Sequence, residues 1–151
     1  MRLERTGVVG ADSGAVYAVL ADLSSRPDWL AELRRVDAPP GPASAGTRFT
    51  GESSLLFHDF IGVSEVVTAE PGRQLEERVV LGAGMTSRWT LASDGDGTTR
   101  VTHVIDIDFP SGPFGRIERW VLRRRLAQLQ RRSLAALDGA ARHPQAPSAT
   151  E

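Results

Sequence analysis

The stretch between residues 47 and 109 constrains this chain most: five segments rich in β-branched and aromatic residues follow one another with only short connections between them. They span 47–57, 59–68, 74–81, 86–91 and 99–109, and turn-forming groups separate them: Glu70-Pro71-Gly72, Gly82-Ala83-Gly84 and Ser93-Asp94-Gly95-Asp96-Gly97. A parallel neighbour would need a crossover of about a dozen residues or more. The spacing therefore predicts an antiparallel meander.

The last segment alternates most clearly. Val101, His103, Ile105, Ile107 and Phe109 share one face, while Arg100, Thr102, Asp106 and Asp108 share the other, with Val104 as the exception. Beyond Pro110-Ser111-Gly112-Pro113 the pattern lengthens to a helix running to about Gly139. Its predicted inward stripe is Ile117, Val121, Leu126, Leu129, Ser133 and Leu137. Upstream, residues 3–9 read as a strand closed by Gly10, and Asp12-Ser13 starts a helix on which Val16, Val19, Leu20 and Leu23 recur at three- and four-residue steps. Ser24-Ser25-Arg26-Pro27 breaks that helix, and Pro27 opens a new turn carrying Trp29 and Leu30. Residues 38–46, dense in proline and glycine, read as a loop. One domain over 1–141 and a disordered tail over 142–151 complete the expected organisation.

The residue inventory removes whole classes of chemistry. There is no cysteine, so disulfides, thiol catalysis and Cys-ligated metal centres are excluded. All 18 basic residues are arginine, which excludes Schiff-base lysines and a P-loop lysine. Charge is uneven: residues 113–142 carry net +6 and the remainder net −7. We read this as a basic helix on an acidic body rather than as a nucleic-acid or membrane surface. No apolar run is long enough to span a bilayer, and the N-terminus lacks a basic segment followed by an apolar core, so a cytoplasmic protein is expected.

Several stretches resemble one known group. Residues 15–30 are similar to the opening helix and Pro-x-Trp step of the START-like, or SRPBCC, superfamily; Gly46-Thr47-Arg48-Phe49 resembles its Gly-x-x-Phe strand entry. Trp89-Thr90-Leu91 with Asp96-Gly97-Thr98-Thr99-Arg100-Val101 resembles its penultimate hairpin, and residues 126–137 its closing helix. Phe109-Pro110-Ser111-Gly112-Pro113-Phe114 is similar to the Pro-rich bend of the bacterial polyketide cyclase/dehydrase group. The resemblance implies an α+β helix-grip fold: a curved antiparallel sheet of six to seven strands around a long C-terminal helix, with two short helices after the first strand. It also implies an internal cavity for a small hydrophobic or aromatic molecule, and with it a place in antibiotic biosynthesis.

In such a fold the cavity lies between the sheet and the long helix. Alternation then assigns Trp29, Phe49, His58, Phe60, Met85, Trp89, His103, Ile105, Phe114, Ile117, Trp120 and Val121 to its wall. One departure stands out. Group aromatases line this region with several tryptophans and tyrosines plus an inward arginine, whereas here Phe60, Gly62, Ser64 and Val66 occupy the expected inward positions. His103 is the foremost catalytic candidate, an imidazole suited to moving a proton at an enolisable ketone, with His58 as its candidate partner. The same residue fits a histidine merely hydrogen-bonded to a neighbouring strand. Trp29, Trp89 and Trp120 can stack on a ligand or fill the core. With His143 in the tail and Asp106 and Asp108 on the outer face, no metal is expected, and no cofactor. Two readings stay open: a cofactor-independent polyketide cyclase or dehydratase, and a non-catalytic carrier or stress-type binding protein. The expected partner is a small hydrophobic ligand, with no nucleic acid and no stable membrane insertion; a homodimer is compatible with the chain.

Overall fold

Short turns force sequential segments to pair with their neighbours, and the computed structural model bears this out over residues 1–55, 58–81, 84–108 and 115–144, the side chains of Leu55 and His58 excepted. The strands are β1 (Arg2–Val9), β2 (Leu33–Asp37), β3 (Arg48–Leu55), β4 (His58–Glu70), β5 (Gln74–Leu81), β6 (Met85–Ser93) and β7 (Thr99–Ile107). They form one antiparallel sheet in the order β1-β7-β6-β5-β4-β3-β2, so the first strand closes onto the last. Two helices complete it, α1 (Ser13–Ala21) and α2 (Gly115–Arg142), with a 3₁₀ helix at Leu23–Asp28. This is the α+β helix-grip arrangement expected from the sequence. The strand β2 was not expected.

Local chemistry sets the boundaries. Asp12 caps α1, its carboxylate accepting from the Ala15 backbone N–H at 2.8 Å. Between β6 and β7, Gly95 and Gly97 both take positive φ, and the Thr98 hydroxyl donates to the Asp94 carbonyl across the turn. The C-terminal end of α2 is tied to β1 through Asp138, which accepts from the Gly10 backbone N–H at 2.7 Å and from Arg142 Nε at 2.9 Å. These bonds, the backbone one first, hold the Asp138 carboxyl below its usual range.

Two apolar clusters fill the space between sheet and helices. One joins Val9, Val16, Leu20, Leu23, Val66, Leu75, Val101 and Leu137; the other sets Leu122, Leu126 and Leu129 of α2 against Leu3, Ile105 and Ile107. A fully buried aliphatic side chain such as Leu137 contributes about 1.5–3 kcal/mol. Alternation on β7 is as predicted, including the exception: Val104 is buried on the outer face.

The predicted inward stripe of α2 needs correction in its first turns. Leu126, Leu129, Ser133 and Leu137 face inward, but Ile117 (76% exposed) and Val121 point away, and Leu122 takes the inward position. At about 100° per residue, the nine steps from Ile117 to Leu126 turn the helix through about 900°, which puts them on opposite sides. The helix also extends to Arg142, past the expected Gly139. Of the expected tail, residues 145–151 lie outside the described residues, as do the Phe109 strand end and the 109–114 bend.

Candidate functional site

His103 occupies the middle of β7, directly opposite Trp89 on β6, so the two side chains emerge side by side on the concave face. Their rings stack nearly parallel, with centroids 3.7 Å apart and planes 6° apart. Trp29, delivered by the turn after the 3₁₀ helix, meets Trp89 edge-on at 6.1 Å. The alternation that placed Ser87 and Trp89 on one face of β6 also brings the Ser87 hydroxyl within 3.0 Å of His103 Nε2. From the other side, the Gln130 amide of α2 donates to the His103 carbonyl.

The imidazole is 5% exposed, and its Nδ1 is buried without a hydrogen-bond partner among the described residues. Burial, reinforced by the Arg26 charge, pushes its pKa down to about 3. At neutral pH His103 is therefore an uncharged ring that can donate or accept a hydrogen bond. It is a much weaker base than the near-neutral imidazole expected from sequence.

Beside this stack lies an ion pair that the sequence reading missed. Arg26, 2% exposed within the 3₁₀ helix, directs Nη1 to both carboxylate oxygens of Glu77, at 2.8 and 2.9 Å, and Nη2 to the Leu20 carbonyl. Its guanidinium lies 5.6 Å from the centre of the Phe49 ring. Arg26, in the last turn of the 3₁₀ helix, and Trp29, at its C-cap, are both buried. Both carry a buried N–H, Arg26 Nε and Trp29 Nε1, without a partner among the described residues. Glu32 adds a carboxyl whose pKa burial raises, against the opposing pull of its own backbone N–H, Arg26 and Ser133; its Oε2 is likewise unpartnered. Parity could have found Glu77, since it shares a face with buried Leu75. Arg26 and Glu32 had no comparable signal.

The predicted wall thus divides. Trp29, Phe49, Trp89, His103 and Ile105 are buried on the inner side of the sheet or against it, and Met85 packs partly against the second cluster. Four others, Phe60, Ile117, Trp120 and Val121, were misplaced. Phe60, at 47% exposure, lies on a part of β4 that α2 does not cover, and Trp120 (58%) and Val121 sit on the outer side of α2 with Ile117, for the helical-phase reason given above. The His58 side chain and Phe114 lie outside the described residues. Two surface depressions flank the site without including its polar groups: one is walled by Pro39, Arg48, Phe49 and Val63, the other by Met1, Arg2, Arg116, Arg119, Trp120 and Arg123.

Residues 1–142 match the sequence profile of a family described as polyketide cyclase / dehydrase and lipid transport. No curated protein is similar in sequence. Among solved structures, the Zhui aromatase/cyclase of Streptomyces sp. R1128 is similar over 100% of this chain and 99% of its own, with a TM-score of 0.81 at 17% identity. A START superfamily protein of Mycobacterium smegmatis is similar over 93% of this chain and 97% of its own (TM-score 0.74, 12% identity). The di-domain aromatase/cyclase StfQ of the steffimycin biosynthetic pathway is similar over 93% of this chain and 50% of its own, with a TM-score of 0.74 and 16% identity.

Proposed function

The chain belongs to the polyketide cyclase / dehydrase and lipid transport family, and from that premise we propose that it binds a small hydrophobic or aromatic, polyketide-like molecule between the sheet and α2 and promotes its cyclisation or dehydration without a cofactor. The observation that carries this reading is the aromatic stack of Trp29, Trp89 and His103, bordered by four buried polar atoms that lack partners among the described residues: Arg26 Nε, Trp29 Nε1, Glu32 Oε2 and His103 Nδ1. Buried donors and acceptors are costly to leave unmatched, and a ligand bearing ketone and hydroxyl oxygens beside the stack would satisfy them. In this role His103 is a neutral hydrogen-bond partner that orients an enolisable ketone. Most of any rate gain would then come from holding a flexible chain in a reactive geometry.

The depressed pKa of His103 favours a second reading, in which the protein carries or sequesters such a molecule without turning it over. The two are separated by incubating the wild type, His103→Gln and Ser87→Ala with a poly-β-ketone thioester, following Trp fluorescence for binding and chromatography for products. Cyclised product from the wild type, reduced at least tenfold in His103→Gln while binding persists, supports the enzyme. Binding without product supports the carrier, and no binding by the wild type overturns both.

A further inference from the structure

The first turns of α2 carry a second apolar stripe that the fold does not use. Leu122, Leu126 and Leu129 seat the helix on the sheet, while Ile117, Trp120 and Val121, at positions i, i+3 and i+4, form a separate stripe on the outer side. All three are exposed, Trp120 by 58%. Arg124, at i+7, continues the stripe and lies over the Trp120 ring with its guanidinium carbon 4.9 Å from the ring centre.

The arginines beside this stripe carry no ion pairs among the described residues. Of the thirteen arginines elsewhere in the chain, Arg5, Arg35, Arg73, Arg131 and Arg132 have no carboxylate within 4.0 Å among the described residues, and the other eight do. By contrast Arg116, Arg119, Arg123, Arg124 and Arg125 are all exposed, and none is within that distance of a carboxylate among the described residues. Arg116, in the first turn, gains nothing from the helix dipole either. The N-terminal end of a helix is the positive end of its dipole, where cations are disfavoured, and Glu118 is the one acidic residue among positions 115–125. Arg119 is in phase with Leu126, and the other four cations, Arg116, Arg123, Arg124 and Arg125, flank an exposed Ile-Trp-Val stripe and call for a ligand that supplies anions and apolar depth together.

Against the reading of the charge alone, which gave no membrane surface, we infer that the outer side of residues 116–125 docks on an anionic lipid surface, with Ile117, Trp120 and Val121 entering the headgroup boundary and the arginines pairing with lipid phosphates. An amphipathic helix lying in the interface buries its apolar side there while its arginines reach the phosphate level. Charge complementarity selects among occupants. A second copy of the same face would bring four arginines against four. A nucleic acid offers phosphates but no apolar layer for the stripe. Docking of this kind requires no spanning segment, and among the described residues no helix is long and apolar enough to cross a membrane. The inference does not depend on what the interior binds.

The test is co-sedimentation of the full chain with vesicles of phosphatidylglycerol and phosphatidylcholine mixed equally, against phosphatidylcholine alone, with Trp emission read in parallel. Binding to the anionic vesicles only, weakening with salt and accompanied by a blue shift that Trp120→Phe abolishes, is the expected result. Each arginine neutralised should cost about fivefold in affinity, so Arg116→Gln/Arg123→Gln/Arg124→Gln should bind about a hundredfold more weakly. Ile117→Ser/Val121→Ser should also weaken binding, and both variants should keep the wild-type circular dichroism because every changed side chain is exposed. Absence of binding, equal binding to both vesicles, or wild-type affinity in both variants overturns the inference. So does retention on immobilised poly-glutamate by a chain that ignores vesicles, which would reassign the face to an acidic protein. A concentration-dependent dimer dissolved by Trp120→Ala would reassign it to a second copy.

Discussion

Replacing Glu77 with glutamine tests whether Arg26 is held as a desolvated cation. The Arg26 side chain is 2% exposed and that of Glu77 12%, so neither charge can recover its hydration when the other is lost. Glutamine keeps the volume and one acceptor oxygen but leaves the guanidinium without its bidentate counter-ion. Breaking a buried pair from one side typically costs 3–5 kcal/mol; with the amide acceptor and the Leu20 carbonyl still in place, the lower end applies, about 3 kcal/mol. For a domain of this size that lowers Tm by about 6–12 °C. The double variant Arg26→Met/Glu77→Leu, which removes both charges and keeps the volume, should fall within about 1 kcal/mol of the wild type. Urea unfolding at pH 7, followed by Trp fluorescence, measures all three. Glu32 is the nearest replacement counter-ion, since it already feels the Arg26 charge. Adding Glu32→Gln to Glu77→Gln should therefore cost more than the two separate losses combined. A loss below about 1 kcal/mol for Glu77→Gln, or a double variant no more stable than the single one, would refute the claim that an unpaired buried charge sets the cost.

His103 should make the fold acid-sensitive. Its pKa is lowered from 6.5 to about 3 in the native state, so the unfolded chain binds the extra proton first, and stability falls as pH drops below about 6.5, by about 1.4 kcal/mol per pH unit until about pH 3. His103→Gln removes that slope, and the difference between the two urea curves at pH 4.5 and pH 7 reads it; parallel pH dependence in both proteins would contradict the assignment. Asp12→Ala should cost about 1 kcal/mol through loss of the α1 cap, with Asp12→Ser restoring most of it, as measured by Tm. Equal Tm in all three proteins would show that the cap does not limit stability.

Strand alternation made the β7 face legible in the sequence, because Val101, Ile105 and Ile107 around His103 leave only one parity that buries them. The same reasoning could not see how far α2 reaches across the sheet. Phe60 therefore has the predicted parity on β4 yet remains half exposed. Helical phase was legible for Leu126, Leu129 and Leu137 and failed at Ile117 and Val121, where a second stripe mimics the continuation of the first. Strand β2 escaped notice because Leu33-Arg34-Arg35-Val36-Asp37 is five residues long and a bulge between Leu33 and Arg35 interrupts its alternation. Arg26 escaped for a different reason: an isolated arginine before a proline reads as surface, and only the folded register reveals that Glu77 waits beneath it. The polar border of the candidate site is thus a tertiary property, whereas its aromatic stack is already written in Trp89 and His103.

Among the described residues the sheet does not close into a barrel, so β1 and β2 each leave one flank of backbone N–H and C=O groups unmatched by a described strand. Such a flank is a template on which another chain can add itself and grow a fibril. On β2 that hazard is met by brevity, by the bulge, and by Arg34 and Arg35, which a pairing neighbour would have to accommodate. On β1 the charges are Arg2, Glu4 and Arg5 at one end, and exposed Val8 at the other end stands opposite Arg100 of β7. Val8 is thus an exposed apolar side chain on an edge strand, and a lysine at position 8 would harden that edge against aggregation.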